Sequence, residues 1–244
     1  MLKGKRVVIS GGGRGFGQAL VVWLASEGAI VEFTARRLED IEKTSSIVTA
    51  IRGVSHGYLC NLNEKESINE FVSEILKSEK SIDILILNAA QWLSGTLDEK
   101  TEQEIIQTIS SGLTGSIILT QALLPKIKAS SNPDIISIIS ACAIPNFTDS
   151  IAHPAFFASK HGMSGFIKKI SQELKKDNVR VTALYPPDFE LSSLDKIENE
   201  QLKMGEELLN ARSIWEMIHF ILSQPRSCHI GSVYFEGPTR EDLA

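Results

Sequence analysis

The chain has 244 residues, 43% of them hydrophobic and 23% charged, enough to bury one full α/β core. A net charge of −5 and a pI near 5.6 exclude a general attraction to nucleic acid or anionic lipid, so any anion site has to be local. No apolar run approaches a membrane span and the three cysteines, Cys60, Cys142 and Cys228, lack metal-ligand spacing, so the expectation is a cytoplasmic protein with no metal, no membrane and no nucleic-acid partner.

The β-branched run Arg6 to Ile9 reads as a strand, and the helical spacing of apolar residues in Gln18 to Ala25 as a helix. Ala29 to Ala35 is a second strand, Leu38 to Arg52 a charged amphipathic helix, and His56 to Cys60 a third strand. A helix follows from Lys65 to Lys77, with Ile68, Phe71, Val72, Ile75 and Leu76 on one face. Asp83 to Leu87 is almost wholly apolar, as a strand covered on both faces has to be. The next pattern predicts one long helix from Thr101 through Leu124, stopping before Pro125. Gly112 and Gly115 interrupt it at about 1 kcal/mol each relative to alanine, which points to close packing there.

Asp134 to Ser140 is the fifth strand, Ala155 to Lys176 a helix, and Val179 to Leu184 the sixth strand. The acidic stretch 186–211 is expected to be a substrate loop or lid within the same domain. A helix over Ser213 to Leu222 and a strand near Ser232 to Phe235 finish the pattern. Alternating strands and helices predict one α/β domain over 1–244, a doubly wound parallel sheet of about seven strands with helices on both faces.

Ligands of such sheets lie beyond the carboxyl ends of the strands. There the sequence has Ser10-Gly11-Gly12-Gly13-Arg14-Gly15-Phe16-Gly17 between the first strand and the first helix. Glycines permit a sharp turn and close approach of backbone to ligand, and the helix N-terminus favours a phosphate. A tight βα turn with no ligand is the alternative.

The spacing Gly11-xxx-Gly15-x-Gly17 resembles the short-chain dehydrogenase/reductase family, which has a Rossmann-type fold. Asn88-Ala89-Ala90, Leu113-Thr114-Gly115, Ala158-Ser159-Lys160 and Gly231 to Gly237 fall where that family's pattern puts them. The resemblance implies a nicotinamide cofactor. An acidic residue about 20 positions past the glycines suits NAD, whereas an arginine suits the extra phosphate of NADP. Arg36 stands 19 positions after Gly17, followed by Arg37, and Arg14 adds a cation inside the loop, so NADP(H) is expected. The resemblance further assigns Asn61 and Leu62 to the adenine side. It puts Asn88, Ala89 and Ala90 near the adenine ribose, although Asn88 fits a link between two strands equally well. Pro186-Pro187 replaces the family's Pro-Gly beside the nicotinamide.

The catalytic positions depart from the family. Lys160 matches the lysine that also holds the nicotinamide ribose, and Ser140 matches the serine, but the tyrosine position is Phe156 and the asparagine position is Gly112. A phenol can exchange a proton and a phenyl ring cannot, and losing a positioned acid/base costs roughly 10² to 10⁴ in rate. His153, three residues earlier, is the candidate replacement donor, against a plain loop histidine beside Pro154; Tyr185, His161, Asp149 and Asp188 are weaker ones. The expectation is an oxidoreductase on a small carbonyl or alcohol substrate with an altered catalytic set. A noncatalytic NADP-binding sensor or partner subunit is the alternative, and a redirected activity needing no phenolic proton the third reading. By the resemblance the chain forms a homodimer or homotetramer.

Overall fold

Strand β1 (Arg6–Ser10) leads through the glycine loop into α1 (Gly15–Ser26). The chain then runs through β2 (Ile30–Ala35), α2 (Leu38–Ala50), β3 (Val54–Leu59), α3 (Lys65–Leu76) and β4 (Ile84–Leu87). Next come α4 (Glu102–Ile109), α5 (Gly115–Lys128), β5 (Asp134–Ile138), α6 (Pro154–Glu173) and β6 (Arg180–Tyr185). The two-residue strands β7 (Phe189–Glu190) and β8 (Leu209–Asn210) precede α7 (Ala211–Ser223) and β9 (Ser232–Tyr234). This computed structural model describes residues 2–148, 150–191 and 209–237.

Seven strands form one parallel sheet in the order β3-β2-β1-β4-β5-β6-β9. Alternation along each strand divides the core in two. Val7, Ile9, Ile84, Ile86, Ile136 and Leu184 face the α1 and α7 side, where Trp23 of α1 stacks on Trp215 of α7 at 5.8 Å. Val8, Leu85, Leu87, Ile135, Val181 and Ala183 face α3, α5 and α6. The doubly wound expectation is therefore met, with apolar residues on both faces of the central strands.

Charged residues open three of the strands and are paired at the sheet's amino edge. Arg6 bonds Glu32 at 2.7 Å through Nε, and Arg180 bonds Asp134 at 2.6 Å with Arg226 on the same carboxylate at 3.2 Å. Paired and bonded to backbone carbonyls as well, these cations avoid the desolvation cost of a lone buried charge.

The single long helix before Pro125 is corrected in two respects. A π-turn over Ser110–Thr114 separates α4 from α5, and α5 runs through Pro125 to Lys128. Pro125 has no N–H to give the Gln121 carbonyl, and Gln121 is exposed to water, which can satisfy that group; beyond it the Pro125 carbonyl accepts from Ala129 N–H and the Lys126 carbonyl from Ile82 N–H at 3.0 Å. The glycines do mark close packing. A Cβ at Gly115 would meet the Leu62 carbonyl, and one at Gly112 would stand 2.5 Å from Ser159 Oγ. For the expected lid at 186–211, β7 and β8 pair in parallel as a two-stranded ribbon at its ends, and residues 192–208 lie outside the described residues.

Candidate active site

The carboxyl ends of β1, β2 and β4 surround a cleft of about 450 Å³. The glycine loop forms its floor, with Gly11 and Gly15 at φ +72° and +56°, a conformation that side chains rarely adopt. Gly11 N–H donates to Thr34 Oγ1 at 3.0 Å, and Gly12 N–H to the Thr34 carbonyl at 2.8 Å. Beneath the loop, buried Thr44 donates to the Gly13 carbonyl and accepts from Gln18 Nε2 at 2.8 Å. A Cβ at Gly17 would strike the Gly11 carbonyl oxygen, so the helix can start this close to the strand only with glycine there.

Across the cleft, Asn88 Nδ2 donates to the Gly11 carbonyl at 2.9 Å, while Ser10 Oγ accepts from the N–H groups of Asn88 and Ala89. Of the two readings of Asn88, the geometry realises the link between strands. Its side chain pins β4 to the glycine loop and lines the cleft as well.

The cleft gathers Gly11, Gly13, Arg14, Phe16, Gly17, Arg36, Arg37, Asn61, Leu62, Asn88, Ala89 and Ala90 from the residues named from sequence. It adds Thr34, Asp40, Gln91 and Ser111, which sequence reasoning missed. Gly15, Lys160 and Pro186 do not line it. Gly15 is exposed on the outer side of the loop, and the other two stand at the ends of β5 and β6.

The three arginines are not equivalent. Arg37 gives Nε and Nη2 to Asp40 at 2.9 and 2.8 Å, and Nη1 to Glu39 at 2.7 Å, so two carboxylates of α2's first turn consume its fork. The hydrogen bonds from Arg37 hold the Asp40 carboxyl below the usual carboxylate range, with the charges of Arg37, Arg14 and Lys43 adding to the effect against desolvation. Arg14 and Arg36 are exposed, and Arg36 has only a long 3.5 Å contact with Gln91 Oε1 among its described hydrogen bonds. Asn61 lines the cleft, with its Nδ2 donating to Glu64 Oε1 at 2.6 Å and its Oδ1 accepting from Asn63 N–H. Its amide is thus engaged in its own loop.

At the far end, Ser140 is half-buried and its Oγ accepts from Cys142 N–H at 3.2 Å, which leaves the hydroxyl proton to donate elsewhere. Ala141 N–H donates to the Pro186 carbonyl at 2.8 Å and ties this turn to the end of β6. Lys160, 5% exposed, donates from Nζ to the Ile138 carbonyl at 3.2 Å. Desolvation pushes its ammonium down to about 8, with Cys142 pulling weakly the other way. The same ammonium is 5.4 Å from the centre of the Phe156 ring. Phe156 is buried and meets Trp92 edge-on at 4.7 Å.

His153 is fully buried and is the N-cap of α6, its Nδ1 accepting from Ala155 N–H at 3.1 Å. The neutral ring then carries its proton on Nε2, a buried atom with no protein partner among the described residues. Tyr185 points elsewhere: it stacks on Tyr234 at 4.6 Å, and its hydroxyl bonds Ser164 Oγ. His161 Nδ1 lies against the Phe157 carbonyl, Asp188 is exposed, and Asp149 lies outside the described residues.

Residues 5–203 match the family model for short chain dehydrogenases. The chain belongs to that family. Its similar proteins include the 3-dehydrosphinganine reductase TSC10B of Arabidopsis thaliana, 29% identical over 210 residues. That match takes in 85% of this chain and 60% of the plant protein, so the chain spans less than two thirds of that relative's length. The 3-oxoacyl-[acyl-carrier-protein] reductase FabG of Aquifex aeolicus is 30% identical over 203 residues, 83% of this chain and 80% of that one. Among solved structures, a metagenomic short-chain oxidoreductase in complex with NADP superposes with a TM-score of 0.80 at 25% identity, covering 98% and 99% of the two chains.

Short-chain dehydrogenases bind a nicotinamide cofactor, and the residues here fit one. The Gly17 position has no space for a side chain, the first turn of α1 offers N–H groups that the helix itself leaves unpaired, and two exposed guanidiniums stand at the cleft's edge. Among the described residues no cluster of histidine, cysteine and carboxylate can hold a metal, and no helix is long and apolar enough to cross a membrane.

Proposed function

We propose that this short-chain dehydrogenase is an NADP(H)-dependent oxidoreductase of a small carbonyl or alcohol substrate, working with an altered catalytic set. The carrying observation is the charge at the ribose end of the cleft. Arg37 is neutralised by Asp40 and Glu39, whereas Arg14 and Arg36 remain available to a 2′-phosphate. Both relatives are named as reductases, which supports the carbonyl-reducing direction.

NADP(H), when bound, supplies or accepts the hydride. In the chain, the Gly11 to Gly17 loop would cradle the cofactor's phosphates, Lys160 would hold its ribose hydroxyls, and the Ser140 hydroxyl would donate to the substrate oxygen. The proton reaches that oxygen from water or from His153 Nε2. Three reduced thiols suit a cytoplasmic setting. The apolar side chains of α5 and α6 that are only partly buried, Ile118, Leu124 and Phe166, support a homodimer or homotetramer. Light scattering at micromolar concentration is expected to give one of these, and a clean monomer overturns it.

Titration with NADPH and NADH tests the cofactor. Arg36→Ala is expected to weaken NADPH binding by about ten- to a hundredfold, the worth of a charge-assisted bond, and to leave NADH binding unchanged. Equal affinity of the unaltered chain for the two cofactors counts against NADP. The packing of Phe156 against Trp92 supports the second reading, a noncatalytic NADP-binding sensor or partner subunit. It would be favoured if the chain binds NADPH yet turns over nothing across a broad carbonyl panel.

A further inference from the structure

Trp92 is 50% exposed, whereas the other two tryptophans, Trp23 and Trp215, are each 2% exposed. Two segments hold it in that position. Gly95 N–H donates to the Ile151 carbonyl at 3.0 Å and His153 N–H to the Leu93 carbonyl at 2.9 Å, with Ser94 and Ala152 in an antiparallel bridge between them. The joined segments also carry Leu97 and Ile151, 66% and 68% exposed. Three of the ten large exposed hydrophobics among the described residues therefore stand on two short loops beside Phe156. Scattered exposed apolar residues are ordinary, whereas a grouped set beside a reaction centre asks for an apolar occupant.

The same wall offers little to an anion. The described residues of segments 92–101 and 144–153 carry Asp98 and Glu99 against one lysine, Lys100. Lys160 is enclosed, with its ammonium over the Phe156 ring. Phe156 contributes a ring with no donor, and Cys142, Ala152, Phe147 and Phe157 complete an apolar cluster around it.

We infer that the substrate side of this site takes an uncharged ketone, or the matching alcohol, with an apolar alkyl or aryl body and no carboxylate or phosphate beside the reacting carbon. This rests on the oxidoreductase reading above. A substrate is favoured over a second copy of the chain because the wall is continuous with the reacting groups. Phe156 and Lys160 are one turn apart on α6, and the backbone N–H of Cys142 bonds Ser140 Oγ.

The test pairs 2-decanone with 2-oxodecanoate, which differ by a methyl against a carboxylate next to the same ketone. Each is titrated into the full chain with and without NADP+, by tryptophan emission and by calorimetry. The expected result is a saturable emission change with 2-decanone, lost in Trp92→Phe while calorimetric binding persists. 2-Oxodecanoate is expected to bind at least about tenfold more weakly. Trp92→Ser is expected to weaken 2-decanone about tenfold with NADP+ affinity unchanged. The inference is overturned if the carboxylate binds as well as the ketone or if Trp92→Ser has no effect. Emission from Trp92 that shifts with protein concentration alone also overturns it, by revealing a contact between copies. NADP+ binding without ketone binding sinks this inference alone, whereas absence of NADP+ binding sinks the cofactor reading.

Discussion

Among the described residues no carboxylate pairs with Lys160, whose ammonium has the Ile138 carbonyl and the face of Phe156 for company. Burial lowers its affinity for the proton, so between about pH 8 and the ordinary lysine value the unfolded chain holds a proton that the folded chain has released. Stability attributable to this residue therefore rises with pH across that window, and below it the full cost of the buried charge is present. Lys160→Met is expected to stabilise the protein at pH 7 by about 2 kcal/mol, a gain that vanishes near pH 10.5, while nucleotide binding weakens. Urea unfolding at the two pH values measures it. His153 calls for a different substitution. His153→Ala removes the α6 cap and costs about 1 kcal/mol, whereas His153→Asn keeps a capping oxygen. With the ring enclosed, His153→Asn is expected to retain most turnover, and loss of turnover in that variant alone identifies the imidazole as the donor. Starting the helix at Ala155 missed this capping role; the signal for it was Pro154, which favours the first helical position and so makes residue 153 the cap.

At the level of elements, the π-turn between α4 and α5 holds Gly112 hard against α6. Gly112 faces Ser159 Oγ, a buried hydroxyl with no protein partner among the described residues. A larger side chain at this position has to displace that hydroxyl. Gly112→Asn is expected to lower stability by about 1–3 kcal/mol through overpacking, and Ser159→Ala in the same chain to recover part of it, read as shifts in the thermal midpoint. Elements with a strong pattern were legible: the strands of the large sheet show as short apolar, β-branched runs and the turn after β1 as a cluster of glycines. The π-turn was not, because the apolar period runs across it and only the two glycines betray the tight approach of α6 and Leu62. Nor could spacing reveal that Asp40 would reach back to Arg37, since that bond depends on where the first turn of α2 points its side chains.

At the scale of the whole molecule, Asp83 at the sheet's amino edge contributes to behaviour in acid. Desolvation raises the Asp83 carboxyl, but bonds from Arg6 N–H, Ser130 and Lys5 outweigh it and hold the group below its ordinary value. The stabilisation is present at neutral pH and is lost as pH falls through that lowered value. Asp83→Asn is expected to cost about 1–2 kcal/mol at pH 7, and the difference from the unaltered chain to close towards pH 2 in unfolding experiments. The doubly wound parallel sheet was legible at this scale from alternation of elements, while the strand order and the amino-edge pairs needed the register that brings Arg6 beside Asp83 and Arg180 beside Asp134.

The bond from Asn88 to the Gly11 carbonyl joins residues 77 apart in sequence, across the place where the strand order reverses. The nucleotide cleft exists only once β1 and β4 have met. A partly folded chain holding β1, β2 and β3 has one wall of it. Ligand affinity is thereby tied to completion of the fold, and a nucleotide at a hundred times its dissociation constant would add about 2.7 kcal/mol to global stability. Supply of a nucleotide ligand would thus bear on how long the folded molecule survives.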